Sequence, residues 1–181
     1  MDIGREKELF DKAYRLGFDY EKRFGGCAQT TFAAIQDALG MRNDAVFKAT
    51  TGLAAGGGAT GLGTCGGYLA GVMAISLICG RERGNFDDPG RHARMQSFDL
   101  SKKLTDAYLK EFGSLHCRDI QTALFGRPYY IYDAVEFEKF EAAGGHEDKC
   151  TSVVGRAARM AVQVIVAEGL LDRLPQLEDT W

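Results

Sequence analysis

The residues of this 181-residue chain best suited to chemistry are its five cysteines. Four of them share a local pattern, in which a break containing glycine precedes the cysteine and a predicted helix follows: Cys27, Cys65, Cys117 and Cys150. The first turn of a helix has unpaired N–H groups and a partial positive charge, which stabilise a thiolate. We therefore expect the pKa of these four thiols to lie below that of a free cysteine. A thiolate ligates metals, attacks disulfides and reacts with oxidants.

An iron–sulfur cluster is the first chemistry that this set of thiols suggests, because four thiolates match the ligands of a 2Fe–2S or 4Fe–4S centre. The 37, 51 and 32 residues between successive cysteines differ from ferredoxin spacing, so tertiary structure would have to assemble the site. We predict that Cys27, Cys65, Cys117 and Cys150 converge as metal ligands. Gly66 and Gly67 are the predicted cofactor-binding residues, since glycine lets a cofactor or backbone approach closely.

Two other uses of the same thiols stay open. Pairs of the four cysteines could cycle between dithiol and disulfide without any metal. A structural zinc site could take His116 or His146 as a nitrogen ligand, although His116 need not face the same way as Cys117 and His146 lies in a predicted solvated acidic loop. No cysteine belongs to a C-x-x-C pair, so zinc-ribbon and thioredoxin spacings are absent. The fifth cysteine, Cys79, ends an apolar helix and is predicted to be a small buried hydrophobe.

A non-catalytic interaction module is a further alternative, in which the aromatic segment "PYYIYDAVEFEKF" docks a partner. Aromatic side chains in such a segment more often belong to a core or a groove wall; these are Tyr129, Tyr130 and Tyr132. The acidic positions of the segment and its continuation predict a solvated helix face: Glu136, Glu138 and Glu141.

The glycine-rich segment 55–71 contains "GGGATG", which has the G-x-G-x-x-G spacing of a dinucleotide-binding turn. That turn requires a buried strand before the glycines and a second strand ending at the acidic residue. The preceding "DAVFKATTGLAA" has helical periodicity, and Glu82 follows an apolar helix directly. We therefore reject the nucleotide site and expect the loop to present Cys65.

The elements that must position these residues are predicted to be helices. Apolar residues recur at helical spacing in several segments, whereas strand candidates are limited to "YYIY" and part of "VQVIV". Helix-stop and N-cap signals include Gly40, Asn43 and Gly126. The predicted fold class is all-α, a compact single-domain bundle of about six helices over residues 1–181, with a core from about 5 to 170 and a C-terminal tail over 171–181.

Composition excludes some classes of function. The net charge of −3 lacks the basic character of a nucleic-acid-binding protein, so we expect no nucleic acid partner. The longest apolar run, "YLAGVMAISLIC", is too short to span a bilayer, and the N-terminus lacks the layout of a signal peptide. We expect a cytoplasmic protein without a membrane span.

The cysteines and their surroundings resemble the C_GCAxxG_C_C family of redox-active proteins. The matching features are "GGCAQTTFAAI" at Cys27, "TCGGYLAGVM" at Cys65, "FGSLHCRDI" at Cys117 and the lone Cys150 that opens the last predicted helix. The resemblance implies four functional cysteines and an unidentified redox partner protein, and it favours an electron carrier or redox accessory protein over a stand-alone enzyme. A homodimer is compatible with the sequence. Related domains in split-Soret cytochromes are associated with an iron–sulfur centre.

The chain departs from the family pattern in detail. Thr31 stands where the motif's closing glycine would fall, and Gly67 and Ala70 replace the more usual alanine and glycine. The cysteine set is intact. No C-x-x-C-H is present, so the c-type haem of the split-Soret proteins is not expected.

Overall fold

The computed structural model describes residues 3–87 and 92–174 of the chain and is all-α in this part. Eight α-helices follow one another there. They are α1 (Ile3–Phe24), α2 (Cys27–Leu39), α3 (Asp44–Ala49), α4 (Gly66–Cys79), α5 (His92–Phe112), α6 (Cys117–Phe125), α7 (Ala134–Ala142) and α8 (Cys150–Ala167). The predicted count of about six is too low, because short helices such as the six-residue α3 and the nine-residue α6 and α7 form beside the long ones.

Short helical turns complete the described structure. Three are 3-10 turns, at Thr51–Gly56, Arg83–Asn85 and Leu170–Arg173, and Gly145–Lys149 is a turn of π-helix that leads directly into α8. Both strand candidates were wrong: "VQVIV" lies inside α8, and "YYIY" has no regular secondary structure over its first two residues and a turn over its last two. The β-structure seen in the described residues is one isolated antiparallel bridge between Thr64 and His116.

The core forms around α8, which packs against α1, α2, α4 and α5. The inner residues of its apolar face are fully buried, since Ala158, Ala161 and Ile165 are each 0% exposed. Helices α1 and α8 cross closely because glycines face each other there: a Cβ on Gly17 would lie 3.0 Å from the Val154 carbonyl oxygen. A helix buried on one broad face gains most of its stability from this packing.

The segment Gly145–Ala167 is the one helical stretch of the described residues that is long and apolar enough to cross a bilayer by length and composition. In the bundle, 56% of its apolar window is buried. A core helix of a globular bundle has the same composition, because it is apolar on most sides. The absence of a membrane span therefore stays a prediction.

The C-terminal boundary of the core is partly described. The turn Leu170–Arg173 packs onto the helices through Leu170, which is 2% exposed, and Leu171 and Leu174 are partly buried against the same core. Residues 175–181 of the predicted tail lie outside the described residues.

Candidate functional site

Four cysteines line one cavity of about 580 Å³. We call this the cysteine cavity and its thiols the cavity cysteines: Cys27, Cys65, Cys117 and Cys150. Three of them are the first residues of their helices, and Cys65 immediately precedes α4. The predicted pattern of a cysteine at the start of a helix is therefore confirmed, and the N-termini of α2, α4, α6 and α8 meet at the cavity.

A glycine pair places Cys27 beside the end of α1. Gly25 and Gly26 have φ of +65° and +84°, a left-handed conformation that glycine adopts without steric cost. The Gly25 N–H donates to the Glu21 carbonyl at 3.0 Å, which closes α1, and α2 starts directly afterwards. The chain thus reverses within two residues, and the last turn of α1 lies against the first turn of α2.

The isolated bridge places Cys65 next to Cys117. The Cys65 N–H donates to the Leu115 carbonyl at 2.8 Å, and the Cys117 N–H donates to the Gly63 carbonyl at 2.9 Å. These two bonds hold two segments side by side that are far apart in the chain. The position of both thiols therefore depends on tertiary structure as well as on their own helices.

The glycine-rich loop forms one wall of the cavity. All five residues from Ala55 to Ala59 have positive φ, including +46° for Ala55 and +61° for Ala59, where a non-glycine residue costs about 1–3 kcal/mol. Ala54, Ala55 and Ala59 line the cavity, and the Ala55 N–H donates to the Cys27 sulfur at 3.3 Å. Residues 3–54 before this loop contain no strand, so its fold is not that of a dinucleotide-binding turn.

The two glycines after Cys65 are buried in the first turn of α4. A Cβ on Gly66 would lie 2.6 Å from the Cys27 sulfur, and one on Gly67 would lie 3.1 Å from the Ala157 Cβ. The Gly67 N–H also donates a hydrogen bond to the Cys65 sulfur. Both glycines thus allow close packing next to the sulfurs, and their contact with a cofactor stays a prediction.

Two side chains donate hydrogen bonds to cavity sulfurs. The Tyr108 hydroxyl donates to the Cys65 sulfur at 3.3 Å, and the Gln121 side-chain nitrogen lies 3.6 Å from the Cys117 sulfur. Tyr108 and Gln121 are 0% and 2% exposed, so these donors have no access to bulk water. Sequence reasoning missed both residues: Tyr108 lies 43 positions from Cys65, whereas Gln121 lies four positions after Cys117, and that i,i+4 spacing on one helix was the available signal.

The pKa values of the cavity cysteines differ from the prediction. Burial raises the pKa of each thiol above its ordinary value, to about 12 for Cys117. The Glu21 carboxylate raises the pKa of Cys27 and Cys150 further, while the hydrogen bond from Tyr108 partly offsets the rise at Cys65. The prediction of lowered pKa values was wrong, because loss of hydration outweighs the helix N-terminus when a thiolate is buried.

An ion-paired chain of acidic and imidazole groups reaches the same cavity. Glu21 is 2% exposed and accepts a hydrogen bond from the Thr30 hydroxyl at 2.6 Å. The His146 Nε2 lies 3.5 Å from Glu21 Oε1, and the His146 Nδ1 pairs with the Glu141 carboxylate. Glu21, His146 and Glu141 all line the cavity. In the sequence, the signal for Glu21 is a charge that interrupts the apolar stripe of α1.

The sequence predicted that His146 lies in a solvated acidic loop, and this prediction was wrong. Its ring is in the π-helical turn before α8 and packs edge-on against Phe140, with centroids 5.2 Å apart. Burial lowers the pKa of His146, but the hydrogen bonds and charges of Glu21 and Glu141 outweigh it and raise the pKa overall. Phe140 approaches this turn closely because residue 145 is glycine, where a Cβ would lie 2.2 Å from the ring.

The remaining candidates lie away from the cavity. His116 is exposed at the N-cap of α6, and Cys79 is 4% exposed in the apolar core. Tyr129 is buried, whereas Tyr130 and Tyr132 are exposed.

The three acidic residues that were predicted to form a solvated helix face differ in their exposure and in their partners. Glu138 is exposed as predicted. Glu136 is half-buried and pairs with Arg127 and Lys139, and Glu141 belongs to the cavity rim.

All five cysteines are free thiols. Among residues 3–87 and 92–174, no three His, Cys, Asp or Glu side chains are grouped closely enough to hold a single metal ion as they stand. The cavity cysteines therefore surround a space rather than a point.

The family model described as "Putative redox-active protein (C_GCAxxG_C_C)" matches residues 26–164, which is more than half of the chain. No curated protein and no solved structure matches the chain.

Proposed function

We propose that the cavity cysteines hold an iron–sulfur cluster for electron transfer. The chain belongs to the C_GCAxxG_C_C family, and this membership supports a redox role. The observation that carries this proposal is the cavity itself: four cysteines at the starts of four helices line one space of about 580 Å³. Four cysteine thiolates are the usual ligands of 2Fe–2S and 4Fe–4S clusters.

The donors around the sulfurs support a cluster. Three of the four sulfurs accept a hydrogen bond, from the Ala55 backbone, the Tyr108 hydroxyl and the Gln121 amide. Hydrogen bonds to ligating sulfurs are among the features that set the reduction potential of such clusters. A bound cluster would supply one-electron chemistry, and these residues would orient its ligands and shield them from water.

A cluster fits the cavity cysteines better than a single zinc ion does. Zinc requires its four ligands around one point, and no such group of three donors exists in the described part of the chain. Of the two histidines proposed as zinc ligands, His116 is exposed away from the cavity. Both ring nitrogens of His146 already face carboxylates. In a 4Fe–4S cluster each cysteine sulfur binds a different iron, and in a 2Fe–2S cluster two irons share the four sulfurs, so either cluster suits sulfurs that surround a larger space.

Metal-free thiol–disulfide exchange is the second candidate function, and the raised pKa values weigh against it. The thiolate is the attacking species in exchange, and burial keeps all four cavity thiols protonated near neutral pH. Metal binding has a different requirement, since the metal displaces the thiol protons as it binds.

The test is anaerobic purification and reconstitution with iron and sulfide, followed by metal analysis and visible absorption. We expect iron and acid-labile sulfide in a fixed ratio and a coloured protein. A colourless protein that retains no iron contradicts the proposal. Mass-spectrometric thiol counting under oxidising conditions then decides for the second candidate, which requires free thiols to be lost reversibly in pairs.

A further inference from the structure

We propose that Glu21, His146 and Glu141 form a proton-transfer chain that connects solvent with the cysteine cavity. The proposal rests on the proposed function, because these groups would take up the proton that offsets the negative charge added when an iron–sulfur centre in the cavity is reduced. It stands on the geometry of three side chains that come from α1, the π-helical turn and α7.

The inner end of the chain is Glu21. Its side chain is 3% exposed, it lines the cavity, and one carboxylate oxygen accepts the Thr30 hydroxyl hydrogen bond at 2.6 Å. Its other oxygen is 3.5 Å from the His146 Nε2. A carboxylate removed from water in this way requires a partner, and the basic side chain that pairs with it is His146.

The middle of the chain is the His146 ring, which has a carboxylate at each nitrogen. Nε2 faces buried Glu21, and Nδ1 pairs with Glu141. The ring lies over Gly25, whose Cβ position would be 3.6 Å from Nε2, and it packs against Phe140. An imidazole held between two acceptors gains a proton at one nitrogen and releases one at the other, which is how histidine shuttles protons.

The outer end is Glu141, whose side chain is 39% exposed while that of His146 is 22% exposed. Exposure thus rises from the cavity outward, from Glu21 through His146 to Glu141. Protons can therefore reach the outer carboxylate from bulk water and pass inward along paired groups.

Other titratable groups belong to the elements next to His146. Lys22 of α1 and the thiols Cys27 and Cys150 at the starts of α2 and α8 line the same cavity, and Glu147, Asp148 and Lys149 follow His146 directly in the chain. Lys22 is paired with Glu147 at 2.6 Å, so it is not a direct partner of the ring. Lys149 lies over the Phe125 ring, 4.6 Å from its centroid.

Reduction of the centre in the cavity couples one electron to one proton. A one-electron donor protein is oxidised by one electron, and the centre held by the cavity cysteines is reduced by that electron. The buried negative charge raises proton affinity nearby, so the Glu21–His146 pair takes up one proton, supplied from solvent through Glu141. The net charge of the cavity is then unchanged, which avoids an uncompensated charge in a poorly hydrated space.

The first test uses the full-length, metal-free protein and follows the His146 imidazole by NMR against pH. We expect a pKa above that of an ordinary histidine, and we expect Glu21→Gln to lower it because the inner carboxylate is lost. Glu138→Gln removes an exposed carboxylate from the same helix as Glu141 and should leave the titration unchanged. An unchanged His146 titration in Glu21→Gln would overturn the proposal.

The second test measures the reduction potential of the reconstituted protein between pH 5 and 9. For a one-electron couple with one proton, a tenfold change in proton concentration shifts the potential by about 59 mV. We expect this slope over part of the range in the wild type and in His116→Gln, and no slope in His146→Gln. A wild-type potential independent of pH, or a slope retained in His146→Gln, would overturn the chain.

The two tests separate failure of the chain from failure of the proposed function. If no cluster assembles, the proposed function fails, and the imidazole titration still decides whether Glu21 and His146 share a proton. If a cluster assembles and its potential does not respond to His146→Gln, the proposed function stands and the chain is rejected.

Discussion

The two ends of α4 each carry a buried cysteine. One of these thiols accepts a hydrogen bond and the other donates one. Cys65 at the N-terminal end is 6% exposed and accepts a hydrogen bond from the Tyr108 hydroxyl. Cys79 at the C-terminal end is 4% exposed and donates its S–H to the Ile75 carbonyl at 3.2 Å. Burial alone therefore does not distinguish a site thiol from a core thiol. The direction of the hydrogen bond does, because a sulfur that accepts is prepared to carry negative charge.

The same contrast extends to the regions around the two thiols. The core near Cys79 is filled by apolar side chains such as Ile75 and Phe32, both 0% exposed. The region around Cys65 instead holds an open cavity, the buried carboxylate of Glu21 and a loop with left-handed residues. The core is built for packing density, whereas the cavity region keeps space and polar groups at a cost in stability.

Helix capping follows the same division. Asn43 and Asp133 cap α3 and α7 by accepting hydrogen bonds from the first turn of each helix. The four helices that begin at the cavity have no side-chain cap. Since a cap contributes about 1 kcal/mol, these helices forgo stabilisation at the end where the thiols meet.

The largest expected effect separates the two cysteines of α4. Cys65→Ser should lose most of the iron retained after anaerobic reconstitution, since one of four ligands is missing. Cys79→Ala should retain the wild-type iron content, because that thiol contacts only the core. Iron and sulfide analysis on matched protein samples gives the comparison. Equal iron content in the two variants would mean that Cys65 is not a ligand.

The second effect concerns the free energy of unfolding. Here a substitution in the core should have a larger effect than one at the cavity. Ile75→Ala in the core should reduce the free energy of unfolding by about 2–5 kcal/mol. Phe137→Ala at the cavity mouth should cost less than about 1.5 kcal/mol, because that side chain is already 39% exposed. Urea titration of the metal-free proteins measures both. A larger loss for Phe137 would show that the cavity mouth is a second packed core.

The third effect is a loss of stability at alkaline pH in the reduced, metal-free protein. An unfolded thiol deprotonates near pH 8.5, whereas burial raises the folded pKa of Cys117 to about 12. The unfolded state thus binds fewer protons in this window, so stability is full below about pH 8.5 and falls as the pH rises toward the folded pKa.

Each such thiol contributes a slope of up to about 1.4 kcal/mol per pH unit. We expect Cys117→Ala to make the decline shallower in urea titrations between pH 8 and 10.5. A slope identical to that of the wild type would show that Cys117 is ionised in the folded protein, and burial would then not control its pKa.

The smallest effect distinguishes two tyrosines that pack against each other. Tyr108→Phe removes the donor to the Cys65 sulfur, so the pKa of Cys65 should rise further and its alkylation should slow by about fivefold, the equivalent of 1 kcal/mol. Tyr68→Phe removes only a hydroxyl contact with Thr105 at 2.8 Å and should leave Cys65 unchanged. Mass spectrometry resolved by residue measures both rates. Equal slowing in both variants would assign the effect to ring packing.

Local sequence signals were enough to place the long helices and to predict that four helices start at a cysteine. Gly26 before Cys27, Gly126 after α6 and Asp133 before α7 act within one or two turns of the chain, so their effect can be read from neighbouring residues. The family resemblance rested on the same short segments, and it was confirmed over residues 26–164.

The electrostatics of the site could not be predicted in this way. The helix N-terminus next to each thiol is a local feature, but the burial that raises the pKa values comes from other helices. The pairing of Glu21 with His146 joins residues 125 positions apart, and the Tyr108 donor lies 43 positions from Cys65. Such contacts exist only after the bundle has formed, so no local pattern indicates them.

The modest attachment of α6 has a consequence for how the molecule opens. Helices α2, α4 and α8 pack directly on one another, whereas α6 rests on the turn Thr51–Gly56 and on a small cluster that includes Ile120 and Tyr108. Helices with few buried contacts open at low free energy, and their amides exchange with solvent first. A centre bound through Cys117 would fasten this helix to the other three. Loss of the centre should therefore first release α6 as a local unfolding unit, exposing Cys117 to oxidants while the rest of the bundle stays folded.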